Sequence, residues 1–246
     1  TIGYCHSFRP LKTGQANGQV ISIDGSMPMQ RQRAALLGPC SEYCLIRLEG
    51  DISVAGVELH PAGIWQLTRK SIHNFADRLL SPSNGEMLGI EQLIDDLQGI
   101  NAEEETFRRI SMYISSMGTI PEGDSLNIKK ITQTIIPAIM SMPIAETAEA
   151  ASTSAKQMQR LFRKYIGMPP VRFALIARLK QVLRHLTDWR RRDKFSDIAD
   201  NEAFYDLSHL CKETKKLTGH PPTVLRDSGF SLNLIDNMAI VHEDSS

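Results

Sequence analysis

The chain has little cysteine, few aromatics and no net charge. Of its 246 residues, 4 are cysteine and 6% are aromatic. Cys5, Cys40, Cys44 and Cys211 form no C-x-x-C pair, and a chain of this length does not depend on disulfides. A reduced, cytoplasmic protein is the expectation. Cys5, His6, Cys40 and Cys44 could gather round zinc, but the Cys40/Cys44 spacing lacks a matching second pair. Buried or half-exposed thiols are therefore expected, and no metal or cofactor is assigned. No apolar run reaches the roughly 18 residues of a membrane helix, so no membrane partner is expected. The start, Thr1 to His6, lacks the basic-then-apolar order of a signal peptide. The G-x-S-x-G, H-E-x-x-H, phosphate-binding and dinucleotide-binding motifs are missing. Asp95 and Asp96 are helical neighbours that cannot converge on one substrate atom. An enzyme is not expected, and no residue is given a catalytic role.

What is present is enough apolar material for real cores, with 41% hydrophobic and 23% charged residues. The formal net charge of +0 conceals segregation. Residues 1–126 hold 10 Lys and Arg against 15 Asp and Glu. Residues 127–227 hold 18 against 10, and residues 228–246 hold none against 3. A basic block between two acidic ones points to a polyanion-binding module.

The first segment reads as β. Gly18–Asp24, Glu42–Gly50 and Ile52–His60 carry β-branched or alternating apolar residues, with a turn signal at Glu49–Asp51. Short strands of this kind fit a small barrel or sandwich. From about Ser71 the period becomes helical, through Ile90, Leu93, Ile94 and Leu97, then Phe107, Ile110, Ile114 and Met117. Asn101 is the expected cap of the second helix. These helices either cover the barrel or pair with a second subunit through Phe107, Ile110, Ile114 and Met117. Met117–Ser125, with Gly, Pro, Gly and Asp in quick succession, reads as the linker. The expected division is a sensing or dimerisation domain over 1–118, a linker over 119–126, a DNA-binding domain over 127–227 and a tail over 228–246.

The basic block repeats itself at an offset of 52 residues. SAKQMQRLFRKYIGMPP (Ser154–Pro170) matches DLSHLCKETKKLTGHPP (Asp206–Pro222) in its ending and in its cations. Arg160, Arg163 and Lys164 fall on Lys212, Lys215 and Lys216. Ser154 and Asp206 are good N-caps, and Gly167 and Gly219 stand where a helix stops. In the first copy Met158, Leu161, Phe162 and Tyr165 form an apolar stripe opposite Lys156, Gln159, Arg160 and Arg163. In the second, Leu210 and Leu217 face inward and Ser208, Cys211, Lys212 and Lys215 outward. Short helices precede both, over Pro143–Thr153 and Phe195–Tyr205. A short helix, a tight turn and a helix with a basic and amide face is the helix-turn-helix pattern. Arg can bond guanine at two points, Gln can do so for adenine, and flanking cations neutralise phosphates. Between the copies, Phe173, Ile176, Leu179, Leu183 and Leu186 form one stripe of a helix over Val171–Leu186, with Arg172, Arg178, Lys180 and Arg184 off it. That rod of roughly 24 Å could hold two reading heads about one DNA turn apart.

These residues resemble the AraC/XylS family of bacterial transcription regulators. The resemblance rests on AEAASTSAKQMQRLFRKYIGMPPVRFALIARLKQVLRHL and FSDIADNEAFYDLSHLCKETKKLTGHPPTVLR, covering about residues 140–227. It implies two helix-turn-helix units joined by a long helix and bound in successive major grooves of promoter DNA. It carries reading roles to Ser154, Lys156, Gln159, Arg160 and Arg163, and to Ser208, His209, Cys211 and Lys212. With Gln157, Lys164, Lys215 and Lys216 beside them, these are the expected DNA contacts. Ala203, Thr214 and Leu207 depart from the family pattern, where Gly, a core Phe and a polar residue are usual. Upstream, Val54–Leu80 resembles the β-rich sensing domain of some members. The implied fold class is α+β, a β-barrel-like (cupin-like) domain with helices followed by an all-α domain. The implied protein is a cytoplasmic, homodimeric bacterial activator or repressor. A small-molecule effector and RNA polymerase are the expected further partners, with His60 and Trp65 as the effector-pocket residues.

Two rival readings follow from other features. A DNA-bound repair or sensing protein would use a reactive thiol among Cys5, Cys40 and Cys44. A non-specific architectural binder would show steep salt dependence and little sequence preference.

Overall fold

The computed structural model of the chain describes residues 11–12, 20–21, 36–43, 47–48, 53–54, 59–80, 87, 89–98, 100, 102–116, 119–187 and 207–227. The chain divides into two compact units. One is Thr1–Pro39 with Ile46–Pro169, and the other is Cys40–Leu45 with Pro170–Ser246.

Among the described residues the first unit opens with six two-residue strands in three antiparallel pairs. β1 (Leu11–Lys12) pairs with β5 (Ser53–Val54), β2 (Val20–Ile21) with β4 (Arg47–Leu48), and β3 (Leu36–Leu37) with β6 (Leu79–Leu80). Of the runs flanking Glu49–Asp51, the described residues show β4 bonded to β2 and β5 bonded to β1, and no pairing of β4 with β5. The β2–β4 pair is thus nested within β1–β5 in chain order. The remainder of each predicted run, and with it any barrel closure, lies outside the described residues.

Helices carry most of the remaining described residues of this unit. α1 (Gly63–Thr68) is bounded by Ala62 and Arg69, both in the left-handed region at φ 73° and 57°. A 3-10 turn, Ile72–Asn74, precedes β6. α2 (Ile90–Asp96) and α3 (Glu103–Ser116) follow the predicted helical period and pack on one another. Asn101, the expected cap, lies outside the described residues. α4 (Glu122–Lys130) then begins within the stretch that reads as a linker. It continues through a π turn, Ile131–Ile135, into α5 (Ile136–Ser141). Acidic Glu122 and Asp124 open this rod, where the helix dipole favours them. Pro137 has no N–H to give, and the wider turn lies just before it. Ile128, Ile131, Ile135 and Ile139 are all buried, giving the rod one continuous apolar seam. α6 (Ile144–Ala150) and α7 (Ala155–Tyr165) complete the unit.

The second unit is built on α8 (Pro170–Thr187), whose first residue is a proline, tolerated where no N–H partner is needed. α9 (Leu207–Thr218) and α10 (Pro222–Asp227) both pack on it. Ile176, Leu179, Val182 and Leu183 of α8 are buried, as are Leu210, Leu217 and Leu225. The predicted stripe is seen in Ile176, Leu179 and Leu183, while Phe173 is half-buried. The side chains of Arg184 and Leu186 lie outside the described residues. The short segment Cys40–Tyr43 also belongs to this unit, and Cys40 is buried.

Candidate nucleic-acid interface

The first copy of the repeat folds as its sequence predicts. Ser154 is extended, and its hydroxyl accepts a hydrogen bond from the Gln157 N–H at 3.1 Å. This N-cap satisfies one of the donors that every helix start leaves open. The preceding turn is tight: Ser152 is left-handed at φ 46°, and the Thr153 N–H reaches the Ala148 carbonyl at 2.9 Å. Lys130 Nζ donates to the Ser152 carbonyl at 3.1 Å. Along α7, Met158, Leu161, Phe162 and Tyr165 are buried. Lys156, Gln159, Arg160 and Arg163 are exposed on the opposite side, and Gln157 is half-buried. Gly167 ends the helix at φ 90°, and a Cβ there would meet Ile72 and Pro39 at 2.8 and 2.9 Å.

The far edge of α7 is less free than its sequence suggests. Lys164 Nζ donates to Asp124 Oδ1 at 2.6 Å. The same ammonium lies 5.3 Å from the Trp65 ring centre and 4.8 Å from that of Tyr165. Tyr165 donates its hydroxyl to Asp124 as well, and Asn127 Nδ2 donates to that hydroxyl at 3.3 Å. The hydrogen bonds from Lys164 and then Tyr165 hold the Asp124 carboxyl below the usual range. The bond to Asp124 lifts Lys164 above the usual amine range. Burial first, then Asp124, raises the Tyr165 phenol.

The second copy presents the same kind of face. Ser208, Lys212, Lys215 and Lys216 are exposed on α9, and His209 and Cys211 are half-buried. Leu210, Thr214 and Leu217 point inward and are buried. Gly219 ends the helix at φ 79°, with its N–H bonded to the Lys215 carbonyl at 2.8 Å. Asp206 and the short helix expected over Phe195–Tyr205 lie outside the described residues. Arg172, off the α8 stripe as expected, is half-buried and donates to both Glu213 and the Ser41 carbonyl. Tyr43 N–H donates to the Lys216 carbonyl at 3.0 Å, and Lys216 Nζ sits 3.1 Å from Glu42 Oε1. Periodicity gave no sign of Asp124, Glu42, Tyr43 or Glu213, because their partners are 40 or more residues away in all but the local contacts.

The other predicted site residues are placed as follows. His60 is exposed, and its Nδ1 lies 2.6 Å from the Pro61 carbonyl. Trp65 is buried, its ring centre 5.1 Å from that of Tyr165 in an edge-to-face contact. On α3, Ile114 is buried, Ile110 half-buried and Phe107 exposed, while Met117 lies outside the described residues. Phe107 lines an open furrow with Glu104, Arg108, Ser111, Met112 and Ser115. Arg108 and Arg109 hold the Glu105 carboxyl down to about 2. Of the cysteines expected to be buried or half-exposed, Cys40 is buried and Cys211 half-buried. Cys5, His6 and Cys44 lie outside the described residues. Among the described residues no group of His, Cys, Asp or Glu could hold a metal ion, and no helix is long and apolar enough to cross a membrane.

The chain is similar to the crystal structure of ToxT from Vibrio cholerae O395, at 13% identity over 93% of this chain and 95% of that one, with a TM-score of 0.45. It is similar also to an apo lysine-to-alanine variant of ToxT from Vibrio cholerae strain SCE256, at 11% identity over 91% and 94%, with a TM-score of 0.45. No curated protein matches it. The family model described as a helix-turn-helix domain matches residues 147–228, from within α6 through α7, α8, α9 and α10, so this part of the chain is similar to a helix-turn-helix domain.

Proposed function

We propose that the chain is a sequence-specific DNA-binding transcription regulator. The observation that carries this reading is the exposed face of α7. Lys156, Gln159, Arg160 and Arg163 stand on a capped helix whose opposite side is fully buried, within a matched helix-turn-helix domain. Arg and Gln offer paired donors and acceptors to base edges, and the lysines suit phosphates. Ser154 spends its hydroxyl on the helix cap, so its part is to aim the helix. α9 is the second reading helix, through Ser208, Cys211 and Lys212, with His209, Lys215 and Lys216 toward the backbone. α8, 18 residues and thus about 27 Å long, joins the two copies, and insertion is into successive major grooves. The exposed Phe107 and Met112 of α3 support a homodimer contact on that helix. Response to an effector and contact with RNA polymerase complete the proposal.

Selection from a pool of random duplexes tests it. A consensus of two half-sites about one helical turn apart is expected. Binding with no consensus and steep salt dependence would instead make this a non-specific architectural protein.

A further inference from the structure

Lys164 and Lys216 occupy the same position in the two copies of the repeat, 52 residues apart. Each stands in the last turn of its helix, and a flanking lysine there can neutralise a DNA phosphate. Each is held by a carboxylate that lies outside the repeat. Asp124 of α4 takes Lys164 at 2.6 Å, and Glu42 of the Cys40–Tyr43 segment takes Lys216 at 3.1 Å. The two carboxylates come from unrelated elements, so the repeat itself does not account for the coincidence.

We infer that Asp124 and Glu42 are built-in stand-ins for DNA phosphate, each occupying the flanking lysine of one reading helix until DNA displaces it. The inference rests on the DNA-binding reading above. Both carboxylates are placed by firm local structure. Asp124 lies in the first turn of α4 and is fixed also by the Tyr165 hydroxyl. Glu42 lies between Ser41, whose carbonyl Arg172 binds, and Tyr43, whose N–H binds the Lys216 carbonyl. The ring of Tyr43 would be 3.3 Å from a Cβ at Gly219, which closes the same helix end. The segment thus straps the end of α9 at three points. The first clasp is the tighter: Asp124 keeps 21% side-chain exposure, against 59% for Glu42, and Lys164 lies over two aromatic rings. Displacing either pair exchanges one lysine partner for another while leaving a carboxylate beside DNA. The clasps therefore lower affinity for all sequences alike and damp the salt dependence.

The test uses the full chain with Glu42→Gln, Asp124→Asn and the double substitution. Two readouts are taken: binding to a duplex of scrambled sequence over a salt series, and labelling of lysines by an amine-reactive ester followed by mass spectrometry. Each substitution should raise duplex affinity about two- to fivefold, as expected for an exposed ion pair. The slope of log K against log salt should steepen by up to about 0.9 per released lysine. Labelling of Lys216 in E42Q and of Lys164 in D124N should rise about twofold, with Lys156 and Lys212 unchanged as internal references. Unchanged labelling, or faster labelling with unchanged affinity in a chain that binds duplex, overturns the clasp. If neither the parent chain nor any variant binds any duplex while labelling responds, the DNA-binding reading has failed and takes this inference with it.

Discussion

Where the first copy of the repeat buries Phe162, the second buries Thr214, 52 residues on. The same offset sets Met158 against Leu210, Leu161 against Glu213 and Tyr165 against Leu217. α7 is therefore seated by four large apolar side chains, with a Trp65 edge contact added. α9 is seated by two leucines and a threonine, and its remaining inward position is a carboxylate bound to Arg172. The copies share their ends, their glycine stops and their outward cations, but not what holds them down. A repeated surface needs only the right residues in the right period. A repeated seat needs a matching neighbour, and each helix has a different one. α7 leans on α1 and the 3-10 turn at Ile72–Asn74, whereas α9 leans on α8 and the Cys40–Tyr43 segment.

This contrast can be broken most forcefully at Phe162. Phe162→Ala should cost about 3–5 kcal/mol in denaturant unfolding, because a fully buried ring leaves a cavity. Thr214→Ala, at the matched position, should cost far less. A similar loss in both would mean the seats are not different in kind. Next in size, Arg172→Ala strips Glu213 and the Ser41 carbonyl of a charged donor and should cost about 2 kcal/mol, read by the same unfolding curves. Arg160→Ala and Lys212→Ala occupy matched outward positions. Each should weaken binding to a selected operator by roughly 1–3 kcal/mol, more for Arg160, whose guanidinium can bond a base at two points. Equal binding by both variants and the parent chain would remove α7 and α9 as reading helices.

A smaller effect, of opposite sign, is expected at Thr214→Val. Among the described residues the Thr214 hydroxyl is buried with no hydrogen-bond partner, so an isosteric methyl should stabilise by about 1 kcal/mol in thermal or chemical unfolding. The smallest effect sharpens the first seat by pH. Asp124 is held below its ordinary value, so its contribution is complete above the unfolded carboxyl value of about 3.9. It is lost as pH falls through the lower, folded value. Asp124→Asn should flatten that acid limb of a stability profile by lowering stability in the neutral region toward its acid value, the two chains converging at low pH; an identical profile would show the pair adds nothing.

Much of the helix-turn-helix domain was legible in the chain. The stripe of Met158, Leu161, Phe162 and Tyr165, the Ser154 cap and the glycine stops at 167 and 219 are local features, set by a 3.6-residue period and by φ preferences. The strand pairings were not legible, because runs on either side of a good turn signal bond to strands elsewhere in the chain. Nor was the edge contact of Trp65 with Tyr165, which spans 100 residues of sequence.

By itself the sequence determined where the helices of the repeat begin and end and which of their faces carries charge, because caps, glycine stops and amphipathic period act within a few residues. Only the tertiary structure decided which of those charges are already engaged. Lys164 and Lys216 look alike in the chain, and what neutralises each is a carboxylate brought from α4 or from the Cys40–Tyr43 segment by packing. Coulombic and hydrogen-bonded contacts depend on distance in space, and no local pattern records that distance.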